Sequence, residues 1–324
     1  MKPPTAGPAR RRRRRPPASL AEPPSPPPSQ LIGDRDFGLF QGLVHREAGI
    51  WLSPVKKALL VGRLAKRLRA LGLEGWRGYF ERVEADPAER VRMLDCLCTN
   101  ETHFFREPRH FEFLATRIFP RWQAEAEAGR RARRARLWSA ACSTGEEPYS
   151  LAMTLLSAFP PGSGWDLEVL ASDLSTRVLE RAQAAVWPLE KSAEIPAAHL
   201  RAWMLRGMGP QEGLMKAGPE IRSLVRFQRL NLNDRGWPGL GRFDLVFCRN
   251  VLIYFDPPTK ERVVGHLLEH LAPDGHLFLG HAESLSGMAH RVRAVLPTVY
   301  GLLGDGAPGH GGRPSEAPRA AQAP

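Results

Sequence analysis

From residue 136 onward, short apolar runs alternate with stretches of helical spacing, and that alternation leaves few architectures open. The runs fall at residues 137–141, 167–172, 224–230, 243–248, 277–279 and 299–303, with helix-period segments at 151–156, 179–185 and 259–271 among them. Strands of this kind need helices over both faces. The pattern therefore predicts an α/β fold on a mostly parallel sheet. Residues 186–222 interrupt it: Arg-Gly-Met-Gly-Pro at 206–210 and Gly213 predict the turns of a small inserted subdomain.

Ahead of that region, residues 31–115 carry helix-period apolar spacing. Leu59, Leu60, Leu64, Leu68 and Leu71 share one face, and Lys56, Lys57, Arg63, Lys66, Arg67 and Arg69 occupy much of the rest. This predicts a small helical domain with one strongly basic helix, whose charge is either a solvated face or a docking surface for an acidic partner. Residues 116–135 are expected to form a linker helix and residues 136–303 the α/β domain. Residues 1–30, rich in Pro and Arg, and 304–324, rich in Gly, Ala and Pro, hold too few large apolar side chains to offset ordering entropy, and both are expected to be disordered.

The formal charge of +12 on 324 residues raises nucleic-acid binding. Its location argues against that. Lys2 and the arginines at 10–15 stand against Glu22 alone in the first thirty residues, so the tail holds +6 of the +12. No run of about 18 apolar residues predicts a membrane span, and the N-terminus lacks the apolar stretch of a secretory signal. Cys96, Cys98, Cys142 and Cys248 fit neither zinc-ligand spacing nor a disulfide framework; no metal site is expected, and reduced thiols in the cytoplasm are the simpler reading.

Four clusters are candidates for chemistry. Ser-Ala-Ala-Cys-Ser-Thr-Gly-Glu-Glu-Pro-Tyr-Ser at 139–150 sits where the first strand meets its helix, the edge at which doubly wound sheets bind ligands. Its single glycine, Gly145, excludes the three-glycine dinucleotide fingerprint. Glu146 and Glu147 disfavour a bound phosphate there. Ser143 and Glu146 also have the spacing of a helix capping box, a purely structural alternative. Asp173 ends the second strand, placed either to accept from ribose hydroxyls or simply to cap the next helix. Phe-Asp-Leu-Val-Phe-Cys-Arg-Asn at 243–250 brings Arg249 and Asn250 to the same edge, with Tyr254 just beyond. Finally, the polar segment 99–108 is a candidate lid; His103 within it, lacking an evident partner, reads as structural.

In their order and combination, Thr-Asn-Glu-Thr-His-Phe-Phe-Arg-Glu at 99–107, Ser-Thr-Gly-Glu-Glu-Pro-Tyr-Ser at 143–150, Ala-Ser-Asp at 171–173, Phe-Cys-Arg-Asn-Val-Leu-Ile-Tyr-Phe at 247–255 and Gly-His-Ala-Glu-Ser at 280–284 resemble the CheR-type chemotaxis receptor methyltransferases. The resemblance covers about residues 35–303. It implies a Rossmann-like S-adenosylmethionine methyltransferase domain with a small β-subdomain insertion, preceded by a small all-α domain. It implies transfer of methyl from S-adenosylmethionine to receptor glutamates, leaving S-adenosylhomocysteine, by a cytoplasmic enzyme recruited to receptor arrays. By position, Asn100, Thr102, Arg106, Glu146, Glu147, Asp173, Asn231, Leu232, Arg249 and Asn250 would bind the cofactor, with Arg106 and Tyr254 nearest the transferred methyl. Residues 186–222 look like the three-stranded insertion that, in some members, binds a peptide at the receptor's C-terminal end. Neither nucleic acid nor membrane insertion is implied. Two alternatives stay open: a nucleic-acid methyltransferase, and a noncatalytic module that senses S-adenosylmethionine.

Overall fold

A computed structural model describes residues 31–303 apart from residue 289; both segments expected to be disordered, 1–30 and 304–324, lie outside the described residues. The first four helices are α1 (Asp34–Ala48), α2 (Lys57–Ala70), α3 (Trp76–Ala85) and α4 (Pro87–Leu97). Local chemistry sets their ends. Gly49 closes α1 at φ 69°, while Asp86 starts α4 by accepting from the amides of Ala88 and Glu89; Pro87, at the first helical position, has no N–H to satisfy. Their apolar faces converge on Phe40, Leu60, Leu64, Tyr79 and Met93. Leu59 departs from the expected stripe and turns outward.

The basic helix α2 is only partly a free face. Arg67 pairs with the buried carboxylate of Glu89, Lys57 with Asp34, and Arg63 donates to the Leu97 carbonyl and to Thr99. Lys66 and Arg69 are exposed.

Next come α5 (Pro108–Phe113) and α6 (Phe119–Glu127), joined by a π-turn (Leu114–Ile118) just ahead of Pro120, whose missing N–H suits a loosened ladder. Residues 108–127 form one helical run, which spans the expected boundary at 115 and enters the expected linker helix at 116–135. Phe104, Phe105, Phe111, Leu114 and Trp122 pack on the sheet with Leu137 and Phe247, not on the helical domain. Burial of these apolar side chains seats the segment on the sheet core.

The remaining elements are β1 (Arg134–Ala140), α7 (Glu146–Ala158), β2 (Asp166–Asp173), α8 (Thr176–Ala184), β3 (Val186–Pro188), α9 (Ala197–Trp203), β4 (Met204–Arg206), β5 (Leu214–Ala217), α10 (Pro219–Leu224), β6 (Val225–Arg229), β7 (Phe243–Cys248), α11 (Pro257–Glu269), β8 (Leu271–Leu279), β9 (Val292–Leu296) and β10 (Val299–Leu302). Seven strands form one sheet in the order β6-β2-β1-β7-β8-β10-β9. The first five are parallel, and β10 is antiparallel to both its neighbours. Alternate side chains feed two cores: Leu137, Val169, Leu245 and Phe247 on one face, Trp138, Leu170, Val246 and Cys248 on the other. β3, β5 and β4 make a separate antiparallel sheet.

Candidate active site

β1 and β7 lie side by side, with β2 beyond one and β8 beyond the other, so the strand order reverses between them and a crevice opens at their carboxyl ends. The turn out of β1 is tightly folded. Ala141, Ser143 and Gly145 all have positive φ, of 70°, 51° and 97°. A Cβ on Gly145 would sit 3.0 Å from that of Ala182, so glycine serves both the conformation and the close approach. The amides of Ala141 and Cys142 donate to the Ser172 carbonyl, and that of Ser143 to Asp173 Oδ2 at 2.9 Å. The capping box does not form: Ser143 Oγ donates instead to the Asn100 carbonyl at 2.9 Å.

One cavity occupies this crevice. Asn100, Thr102 and Arg106 line it from the segment ahead of α5; Glu147 and Asp173 from α7 and β2; Asn231 and Leu232 from the loop after β6; Arg249, Asn250 and Tyr254 from beyond β7. Glu146 does not join them. It is buried as the first residue of α7, where Lys191 of the insertion reaches its Oε1 at 2.7 Å and Thr144 Oγ1 donates to its Oε2 at 2.6 Å. His103 is exposed and lies outside the lining.

The segment 99–107 is held at many backbone points. Ser143 binds the carbonyl of Asn100, Lys191 that of Thr102, and Arg249 that of Arg106; the amides of Phe104 and Phe105 donate to Glu194 and Ser150. Phe105 and Glu107, on either side of Arg106, both have positive φ, of 50° and 58°. This backbone strain is set against the cavity wall.

Glu147 and Asp173, two carboxylates of the cavity, both have hydrogen-bond partners. Glu147 Oε1 accepts from Ser139 Oγ at 2.7 Å and Oε2 from Arg249 Nη1 at 3.2 Å. Burial nevertheless pushes its pKa up, against the opposing pull of Arg249 and Ser139. Asp173 is also raised by burial, opposed by the amides of Ser175 and Ser143. Each Asp173 oxygen takes one backbone amide and keeps lone-pair capacity. The Asn231 amide is committed to the Glu47 carbonyl and the Asn233 N–H, so this residue shapes the wall. Burial pushes the Cys98 thiol up to about 12 and the Cys142 thiol well above its usual value, which rules out a thiolate nucleophile in the cavity near neutrality.

Sequence reasoning missed the wall supplied by the helical domain: Ala48, Ile50, Leu52, Lys56, Leu59 and Arg63. The two domains are stitched together there. Trp51 N donates to the Tyr254 carbonyl at 2.8 Å, and His45 Nε2 lies 3.0 Å from Asp256 Oδ2. Leu59 offered the one signal, an apolar residue at the border of a basic face. Glu107 and Glu283 were also missed; both are buried carboxylates in segments whose polarity reads as loop.

A sheet in this order, with carboxylates and a strained turn at its switch point, defines an α/β methyltransferase of the Rossmann-like type. The profile described as CheR methyltransferase, SAM binding domain, matches residues 100–300, and that described as CheR methyltransferase, all-alpha domain, matches residues 35–98. Chemotaxis protein methyltransferase 2 of Pseudomonas aeruginosa is 40% identical over 269 residues, covering 82% of this chain and 92% of that protein. The chemotaxis protein methyltransferases of Salmonella typhimurium and Escherichia coli are 39% and 38% identical over 277 residues, each covering 85% of this chain and 92% and 93% of theirs. The chain belongs to the CheR methyltransferase family and is an S-adenosylmethionine-dependent methyltransferase, as its motif order implied.

The donor set fits that cofactor. Glu147 and Asp173 offer acceptors suited to a cationic, hydroxyl-bearing ligand, Leu174 and Leu232 offer apolar wall, and Asn250 Oδ1 is buried without a partner.

Proposed function

We propose that this chain esterifies glutamate side chains of chemotaxis receptors. The observation that carries the reading is the set of cations lining the cavity: Lys56, Arg63 and Arg106 all line it, and none of the three is in a salt bridge with a carboxylate among the described residues. An anionic substrate supplies the missing charge. A glutamate carboxylate, with an ordinary pKa of about 4.3, is ionised near neutrality and needs no general base. When bound, S-adenosylmethionine supplies a methyl group made electrophilic by its sulfonium.

The protein's task is then positioning and exclusion of water, with reacting atoms about 3 to 3.5 Å apart. In this reading Arg106 orients the incoming carboxylate and Tyr254 shapes the opposite wall. Asn100, Thr102, Glu147, Asp173, Asn231, Leu232, Arg249 and Asn250 hold the cofactor, with Arg106 touching both ligands. No proton changes hands.

The substrate would be the cytoplasmic part of a receptor, with the enzyme working in the cytoplasm at receptor arrays. No described helix is long and apolar enough to cross a membrane. A peptide from the receptor's C-terminal end would dock on residues 186–222. The free edge of β4 supports this, since Leu205 and Met208 stand exposed beside unpaired backbone that can accept a further strand.

Peptide mapping of receptor incubated with the enzyme and S-adenosylmethionine tests the proposal. Methyl additions on glutamates support it; additions confined to lysine, arginine or hydroxyl side chains overturn it.

A further inference from the structure

Glu283 is a buried carboxylate, 3% exposed, outside the cavity lining and in no salt bridge among the described residues. Its two oxygens accept from three backbone amides: Gly280 at 2.7 Å, Asn250 at 2.8 Å and Leu252 at 2.7 Å. Two of those amides belong to the segment that leaves β7 and carries Asn250 toward Tyr254. Asn250 itself sits at φ 58°, in the left-handed region that asparagine tolerates better than most non-glycine residues.

Gly280 closes the other side. A Cβ at that position would lie 2.9 Å from Asn250 Cγ, 3.0 Å from its amide nitrogen and closer still to Nδ2. The Asn250 amide group thus lies against bare backbone, and its Oδ1 is buried with no protein partner. Among the described residues nothing on the chain uses that acceptor. Asn250 also lines the cavity, so a ligand there meets the residue that this turn holds.

We infer that the turn 280–283 is a positioning device for cofactor affinity: Glu283 clamps the backbone of Asn250 and Gly280 leaves the space its amide needs. This rests on the proposed contact between Asn250 and the cofactor. Neither Gly280 nor Glu283 lines the cavity, so Gly280 acts on binding through the Asn250 side chain it lies against, and Glu283 through the backbone of residues 250–252.

The test is calorimetric titration of the full chain with S-adenosylhomocysteine, using Gly280→Ala, Asn250→Ala, the double variant and Glu283→Gln, with thermal melting of each. Loss of one buried hydrogen bond predicts about tenfold weaker binding for Asn250→Ala and for Gly280→Ala. In the Asn250→Ala background, where the obstructed amide is gone, Gly280→Ala should change affinity by less than about twofold, the non-additivity of coupled neighbours. Glu283→Gln, isosteric but unable to accept all three amides, should weaken binding while leaving a cooperative melt. Weakened binding by Asn250→Ala with normal binding by Gly280→Ala and Glu283→Gln overturns the inference and leaves the cofactor contact standing. Additive losses in the double variant also overturn it. Normal binding by Asn250→Ala overturns both.

Discussion

Arg249 Nη1 stands 3.2 Å from Glu147 Oε2, and the same guanidinium meets Glu107 Oε2 at 3.4 Å and the carbonyl of Arg106. One buried cation therefore ties the cavity floor to the segment that presents Arg106. Shape and charge of the site are coupled through it.

Replacing Arg249 with methionine removes the buried cation that both Glu107 and Glu147 reach. Breaking such a pair costs about 3–5 kcal/mol, so the variant should show a clearly lower urea midpoint. A midpoint within experimental error of the unsubstituted protein would mean the guanidinium is not needed for folding.

Arg106→Ala removes a group proposed to orient the substrate, while its neighbours stay pinned by their backbone contacts. Methyl transfer should fall by about a hundredfold or more, as for a misplaced reacting group. Affinity for S-adenosylhomocysteine should weaken by less than about fivefold, the scale of a partly exposed ionic contact. Steady-state kinetics and calorimetry on one preparation separate the two.

Cofactor binding should depend on pH through Glu147. Burial raises its pKa, so it takes up a proton at a higher pH than an ordinary glutamate. As pH falls from neutrality toward that raised value, the carboxylate loses the charge that favours a cationic ligand and affinity should decline. Glu147→Gln should bind more weakly at neutral pH, with a flatter pH profile. Titrations over a pH series check both.

The basic helix divides into structural and free charges. Reversing Lys66 and Arg69, which are exposed, should raise the receptor KM and its salt dependence while leaving the melting temperature near its starting value. Arg67→Glu places like charge beside buried Glu89 and should instead destabilise the helical domain by about 3 kcal/mol or more. An unchanged KM for the first variant would remove the docking role.

Much of the sheet was legible because β1, β2 and β7 are apolar on both faces, and β2 and β7 run straight into polar residues. Asp173, Arg249 and Asn250 were found by that rule, and their convergence followed once those strands proved adjacent. β8 was read too short: Pro273-Asp-Gly looks like a turn, yet the strand begins at Leu271, opposite Phe243, and bulges before His276 pairs with Leu245. β9 was missed, its short run broken by Arg293 and half exposed. Helical spacing does not say against which core a helix packs, and the apolar side chains of 104–122 pack with the sheet. Glu146 shows the same limit. Adjacent carboxylates at a helix start look equivalent in sequence, but Glu147 turns to the cavity and Glu146 to Lys191.

Chemical stability of the transferred methyl group tests the central claim most directly. Labelled S-adenosylmethionine is incubated with the enzyme and receptor-bearing membranes, and the product is treated with mild base. Carboxyl methylation predicts label on the receptor that leaves as methanol. Base-stable label, or label on nucleic acid, would contradict it, as would cofactor binding with no transfer to receptor at all.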